Sequence, residues 1–167
     1  MRIPDICPAC HSPAPQSFAA LMEMYEANYI RLRQLIPHIL EWEGSGVSRV
    51  SGALDLHARV LEQSRHTTTL WLSYEFGADC PDKHHKPDIV VRLYSDARQA
   101  EVLSRVCRLD EIDIRRQQGD LDTMLACKWR LNRFLYKWLG YCLRQGHKLP
   151  NSSAREQTKT SSCLSEA

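Results

Sequence analysis

The 167 residues hold 22 Lys and Arg against 20 Asp and Glu, with 43% hydrophobic and 25% charged residues, the profile of one soluble globular domain with enough apolar side chains for a core. A net charge of +2 is too small to specify a nucleic-acid or anionic-membrane partner, which needs clustered charge, and no run approaches the roughly 18 apolar residues of a membrane span. The opening MRIPDICPACHSPAP has no hydrophobic signal core, so a cytoplasmic location is expected, and the seven scattered cysteines read mostly as reduced thiols.

Pro4, Pro8, Pro13 and Pro15 mark residues 1–16 as a flexible leader. Within it Cys7, Pro8, Ala9, Cys10 and His11 spell C-x-x-C-H. Haem attachment normally follows export, and a thioredoxin-like site needs a preceding strand, so neither is expected. Cys7 and Cys10 have zinc-chelate spacing, which His11, His84, His85 or Cys80 would complete, but no second cysteine pair accompanies them. No cofactor is therefore predicted, with zinc at Cys7, Cys10 and His11 as the alternative.

From Ser17 to Ile36 the residues Phe18, Leu21, Met22, Tyr25, Tyr29, Leu32, Leu35 and Ile36 share one arc at helical spacing, which predicts a helix capped by Ser17 and ended by Pro37. Glu43 to Gly46 reads as a loop. The period then changes to two. Leu54, Leu56, Ala58 and Val60 alternate against polar neighbours, TTTLWLSYEF (67–76) and DIVVRLY (88–94) alternate again, and a further strand is expected over Glu101 to Arg108. Cys80 to Lys86 reads as a solvated loop. The connections 63–66 and 77–87 are too short for helical crossovers, so neighbouring strands should pair antiparallel. Asp110, Glu111 and Asp113 read as an exposed loop. Asp120 to Gly146 is a second helix, with Asp120 and Gly146 as caps and Leu121, Leu125, Leu131, Phe134, Leu135, Trp138, Leu139, Cys142 and Leu143 on its apolar face. Cys107, Cys127 and Cys142 read as small core residues. Beyond it, 147–167 reads as a disordered tail. The expected fold is a single α+β domain over 17–146, an antiparallel meander sheet of four to five strands packed with an N-terminal and a C-terminal helix.

Polar residues on apolar arcs mark the candidate site. Lys128 and Asn132 lie among Leu125, Leu135 and Leu139, and Asn28 lies between Leu21 and Leu35. Each needs a partner, because an unpaired buried polar group costs about 1–3 kcal/mol. Arg92, Asp96 and Glu101 bracket the end of the DIVVRLY strand and are the expected partners, with a Lys128 pair to Asp96 or Glu101. Such a network either staples helix to sheet or lines a ligand pocket. On the second helix Arg130, Arg133, Lys137 and Arg144 form a basic stripe flanked by Trp129 and Tyr141, either a solvated face or a nucleic-acid contact. No G-x-S-x-G, G-x-x-x-x-G-K, G-x-G-x-x-G or H-E-x-x-H motif occurs. The expectation is a non-enzymatic accessory or regulatory domain binding a protein partner or small anionic ligand, with no membrane contact. The alternatives are a small enzyme acting on a nucleotide or related phosphate compound, using Arg92 and Lys128 on the anion with Asp96 or Glu101 as acid or base, and RNA or DNA binding through the basic stripe.

The segments FAALMEMYEANYIRLRQLIP (18–37), HTTTLWL (66–72), VRLYSDARQAEV (91–102) and KWRLNRFLYKWLGYCLRQG (128–146) resemble the YqiB-like family of bacterial proteins, domain of unknown function 1249. The six candidate polar residues fall inside these segments. The resemblance implies no activity. Family genes tend to lie beside those for a Nudix ADP-sugar pyrophosphatase and a cyclic-AMP phosphodiesterase, which implies a setting in nucleotide metabolism. Ser95 stands where the family pattern often has histidine, which weakens a histidine-based proposal there.

Overall fold

The computed structural model of the chain describes residues 17–76, 84–103 and 121–149. The leader with Cys7, Cys10 and His11, the residues after Leu149, Cys80, Cys107, the acidic run 110–113 and the Asp120 cap lie outside the described residues.

Helix α1 spans Phe18–Leu35. The Ser17 side chain accepts from the Ala20 N–H at 3.2 Å, satisfying one orphan donor of the first turn. Ile36 closes the other end through the Leu32 carbonyl, and Pro37 cannot continue the ladder. Leu21, Tyr25, Tyr29, Leu32, Leu35 and Ile36 of the apolar arc are buried, but Phe18, placed on that arc, is 66% exposed because it precedes the packed turns.

Five strands follow: β1 Ser45–Ser48, β2 Leu56–Gln63, β3 Thr67–Phe76, β4 His84–Tyr94 and β5 Gln99–Leu103. They form one antiparallel meander in the order β1-β2-β3-β4-β5. Ser45 and Gly46, expected in a loop, pair with Arg59 and Ala58. The glycine is there for close approach, since a Cβ on Gly46 would stand 2.8 Å from the Trp42 ring, which is buried against it. His84 to Lys86, also expected in a loop, extend β4 opposite Phe76 to Tyr74, with a cis Lys86–Pro87 bond. Their polar side chains hid a backbone ladder that runs past the end of the apolar alternation.

Helix α2 spans Leu121–Arg144. It packs against α1, and both helices meet β5. The core lies between them and one face of the sheet, built from Leu32, Leu35, Leu70, Leu72, Leu93, Leu135 and Leu139 among others. The opposite face carries Arg59 and Trp71, directly paired across β2 and β3 with the guanidinium 5.4 Å from the indole centre.

The chain stays in the core past Gly146. That residue has φ +87° and lets the His147 N–H turn back to the Cys142 carbonyl. Leu149 is buried and donates its N–H to the Leu35 carbonyl at 2.9 Å, so 147–149 strap the end of α2 to the end of α1. Of the helix cysteines, Cys142 is a free buried thiol, 3.0 Å from the Tyr74 hydroxyl. Cys127 is disulfide-bonded, against the expected reduced thiol; sequence spacing does not show which sulfurs the fold brings within bonding reach.

His147 is buried beside Ser48 and Tyr74. Burial lowers its pKa below the ordinary 6.5, outweighing the opposing effects of Ser48 and Asp55. The unfolded chain therefore takes up the proton first, and stability present above pH 6.5 falls as the solution is acidified through that value. Urea midpoints measured from pH 7.5 downward should fall more steeply for the native chain than for His147→Gln, and parallel curves would refute this assignment.

Candidate functional site

The structure brings together four of the six polar candidates. Lys128 Nζ donates to Glu101 Oε2 at 2.9 Å. Two phenols complete the carboxylate: Tyr25 on α1 donates to Oε2 at 3.3 Å, and Tyr94 on β4 donates to Oε1 at 2.8 Å. Burial alone pushes the Glu101 carboxyl up, but Lys128 and the phenols outweigh it and hold it below the usual value. Burial first, and then Glu101, raises both phenols, so they stay protonated donors.

The other half of the cluster is built on Asn132. Its Oδ1 accepts from the Val102 N–H at 3.0 Å, and its Nδ2 donates to the Lys128 carbonyl at 2.8 Å. Asn28 Nδ2 reaches across from α1 to the Asn132 carbonyl at 3.2 Å and its Oδ1 at 3.5 Å. Both asparagines are fully buried. The Asn132 amide thus takes the place of a sixth strand at Val102 on the edge strand. Three elements, α1, α2 and β5, meet at this point.

Asp96 does not join them, and Arg92 does not reach the carboxylate, although its guanidinium beside Tyr94 opposes the rise in that phenol's pKa. The register sets Arg92 opposite Glu101, but the carboxylate is already occupied, and Arg92 Nε donates to Thr69 Oγ1 at 3.3 Å with Nη2 3.8 Å from Glu62. Asp96 is exposed in the β4–β5 turn and accepts from the Ala97 N–H at 2.9 Å, so the alternative Lys128 to Asp96 pair is not formed. The six residues do not converge on one open pocket. Sequence reasoning missed Tyr25 and Tyr94, which it counted as apolar arc and strand residues. The available signal was that a buried tyrosine hydroxyl needs a partner.

The basic stripe has a different character. Arg130, Arg133, Lys137 and Arg144 are all exposed, and none has an ion pair among the described residues. Residues 124–149 contain no Asp or Glu, so the mild net charge of the whole chain conceals a local excess. Tyr141 is 47% exposed on this face, and so is Phe134 at 49%. Phe134 was expected in the core. It lies on the wet side of the apolar stripe and forms the rim of a cleft of about 480 Å³ lined by Ile89, Val90, Val102, Leu103 and Leu131.

Among the described residues no three His, Cys, Asp or Glu side chains come together as metal ligands. Among these residues no helix is long and apolar enough to cross a membrane.

A family model described as "Protein of unknown function (DUF1249)" matches residues 31–148. The chain is 31% identical over 135 residues to "Uncharacterized protein YqiB" of Escherichia coli strain K12, covering 77% of this chain and 90% of the relative. The proteins of the same name from the O6:H1 and O157:H7 strains match to the same extent. No solved structure matches.

Proposed function

Because the chain belongs to the DUF1249 family of YqiB-like proteins, whose description assigns no activity, we propose from its geometry a non-enzymatic accessory domain that holds a small phosphate-bearing ligand against the exposed face of α2. The observation that carries this reading is the row of four exposed cations on one face of α2, none of them in an ion pair among the described residues. Cations with no internal partner keep their full charge available to an incoming anion. The enzyme alternative loses support from the pairing of Lys128 with Glu101, which spends the expected anion-binding cation on the expected acid or base. The expected cytoplasmic location is part of this proposal.

One observation favours a second reading, single-stranded RNA or DNA. Phe134 and Tyr141 stand exposed between the cations, and bases stack on such rings while phosphates meet Lys and Arg. An anisotropy titration with a labelled single-stranded RNA and with a labelled nucleotide tests both. We expect affinity to fall by about tenfold or more between 50 and 200 mM salt for the polymer, and to fall for either probe in the triple variant Arg130→Gln, Arg133→Gln, Lys137→Gln. Absence of binding by the native chain at low salt, or equal binding by the variant, overturns the proposal.

A further inference from the structure

We propose that Arg31 and Arg144 form a phosphate-binding seat over Gly140, a specific subsite that rests on the reading of α2 as an anion-binding face. Gly140 is the starting point. It lies inside the last two turns of a helix, where glycine costs about 1 kcal/mol relative to alanine. The structure shows what occupies the space of its missing side chain: a Cβ there would collide with the Arg31 guanidinium, and Arg144 Nη1 lies 3.4 Å from the same point. Two guanidinium groups from different helices are therefore drawn to one place on the helix surface. Their mutual repulsion is unfavourable unless something negative joins them.

Arg31 is held ready for that role. Its Nη1 donates to the Tyr136 carbonyl, and its plane lies over the Tyr136 ring with Cζ 3.5 Å from the ring centre. Stacking of this kind fixes the guanidinium, and its other N–H donors have no hydrogen-bond partner among the described residues. Arg144 is exposed and sits one turn after Gly140. Neither arginine has a carboxylate partner among the described residues. Lys137, one turn before Gly140, adds a third cation on the adjoining face. One preorganised arginine, one exposed arginine and a nearby lysine fit a tetrahedral dianion or phosphodiester, whose oxygens accept from several N–H donors at once. A phosphate on this seat would fix the register of a longer ligand along the stripe toward Phe134.

The test uses the full chain with inorganic phosphate, a mononucleotide and a short single-stranded RNA as probes. In the native protein, titration with phosphate should shift the side-chain Nε–Hε NMR signals of Arg31 and Arg144 together. Gly140→Ala, which favours the helix while pushing Arg31 off its seat, and Arg144→Gln, a change at an exposed position, should each weaken phosphate binding at least threefold. Circular dichroism and thermal unfolding verify that both variants remain folded. If phosphate leaves both signals unmoved, or binds both variants as it binds the native chain, the seat is refuted. The stripe reading fails separately: RNA and nucleotide then bind neither the native chain nor its variants, while the phosphate titration still decides the seat. Loss of RNA binding in the triple stripe variant with none in Gly140→Ala and Arg144→Gln would retain the stripe and remove the seat. A larger effect of the two variants on the mononucleotide than on RNA identifies a free phosphate ligand, and the reverse identifies a polymer phosphodiester.

Discussion

Changing Asn132 to alanine lowers the free energy of unfolding by about 2–4 kcal/mol, read as a shifted urea midpoint at unchanged slope. The reason is the identity of the groups it leaves behind. The Val102 N–H belongs to an edge strand and has its partner in the Asn132 amide oxygen. Once that oxygen is gone, a buried backbone donor has neither a strand nor water to meet it, and it bears the full desolvation cost. The truncation also opens space at a fully buried position. Asn28→Ala provides the comparison and should cost less, about 1–2 kcal/mol. Asn28 supplies a donor to Asn132, but its own Oδ1 is buried without a hydrogen-bond partner among the described residues, so removing it also removes an existing penalty. Equal losses for the two variants, or less than about 1 kcal/mol for Asn132→Ala, would show that β5 does not depend on this cap.

These two asparagines show how far periodicity reaches. A polar residue on an apolar arc is visible in one dimension, because the helix repeat fixes its direction before any partner is known. Asn28, Lys128 and Asn132 were legible for that reason, as were the two helices, the order of the long strands and the antiparallel pairing. The identity of the partners was not. Arg92 and Glu101 do stand opposite one another, yet the carboxylate binds Lys128 and two phenols, a choice made by the approach of three separate elements. Asp96 was drawn into the cluster by closeness in sequence, whereas a turn aspartate is readily satisfied by the next N–H.

Short segments failed for a different reason. Ser45 and Gly46 carry turn-forming residues, and only the Trp42 ring lying over Gly46 explains why they pair as a strand. His147 to Leu149 follow a helix-ending glycine and precede a polar run, so nothing local distinguishes them from the tail; their burial depends on a bond to Leu35 more than a hundred residues earlier. Gly140 was plainly present within the last two turns of an amphipathic helix. What crosses it comes from α1 and has no signature within α2.

Replacing Glu101 with glutamine costs about 1–3 kcal/mol near neutral pH. A fully buried pair would lose more when broken, but the Lys128 side chain is 35% exposed, so solvent screens part of the attraction and can accept the released ammonium. Glutamine retains an acceptor for one phenol and loses the charge that holds Lys128. The double variant Glu101→Gln, Lys128→Met should therefore recover part of the single loss, with a coupling of about 0.5–3 kcal/mol between the two positions. Acid titration supplies an independent reading. The folded pKa of Glu101 lies below its ordinary value of 4.5, so the native chain binds this proton later than the unfolded chain. The contribution is complete above that ordinary value and is lost as pH falls through the lower, folded one. The stability gap between the native chain and Glu101→Gln should accordingly hold steady from neutrality down to about pH 5 and close below it. A gap that persists undiminished in acid would mean that Glu101 acts through its shape and its neutral hydrogen bonds, with the ion pair to Lys128 contributing nothing to the staple.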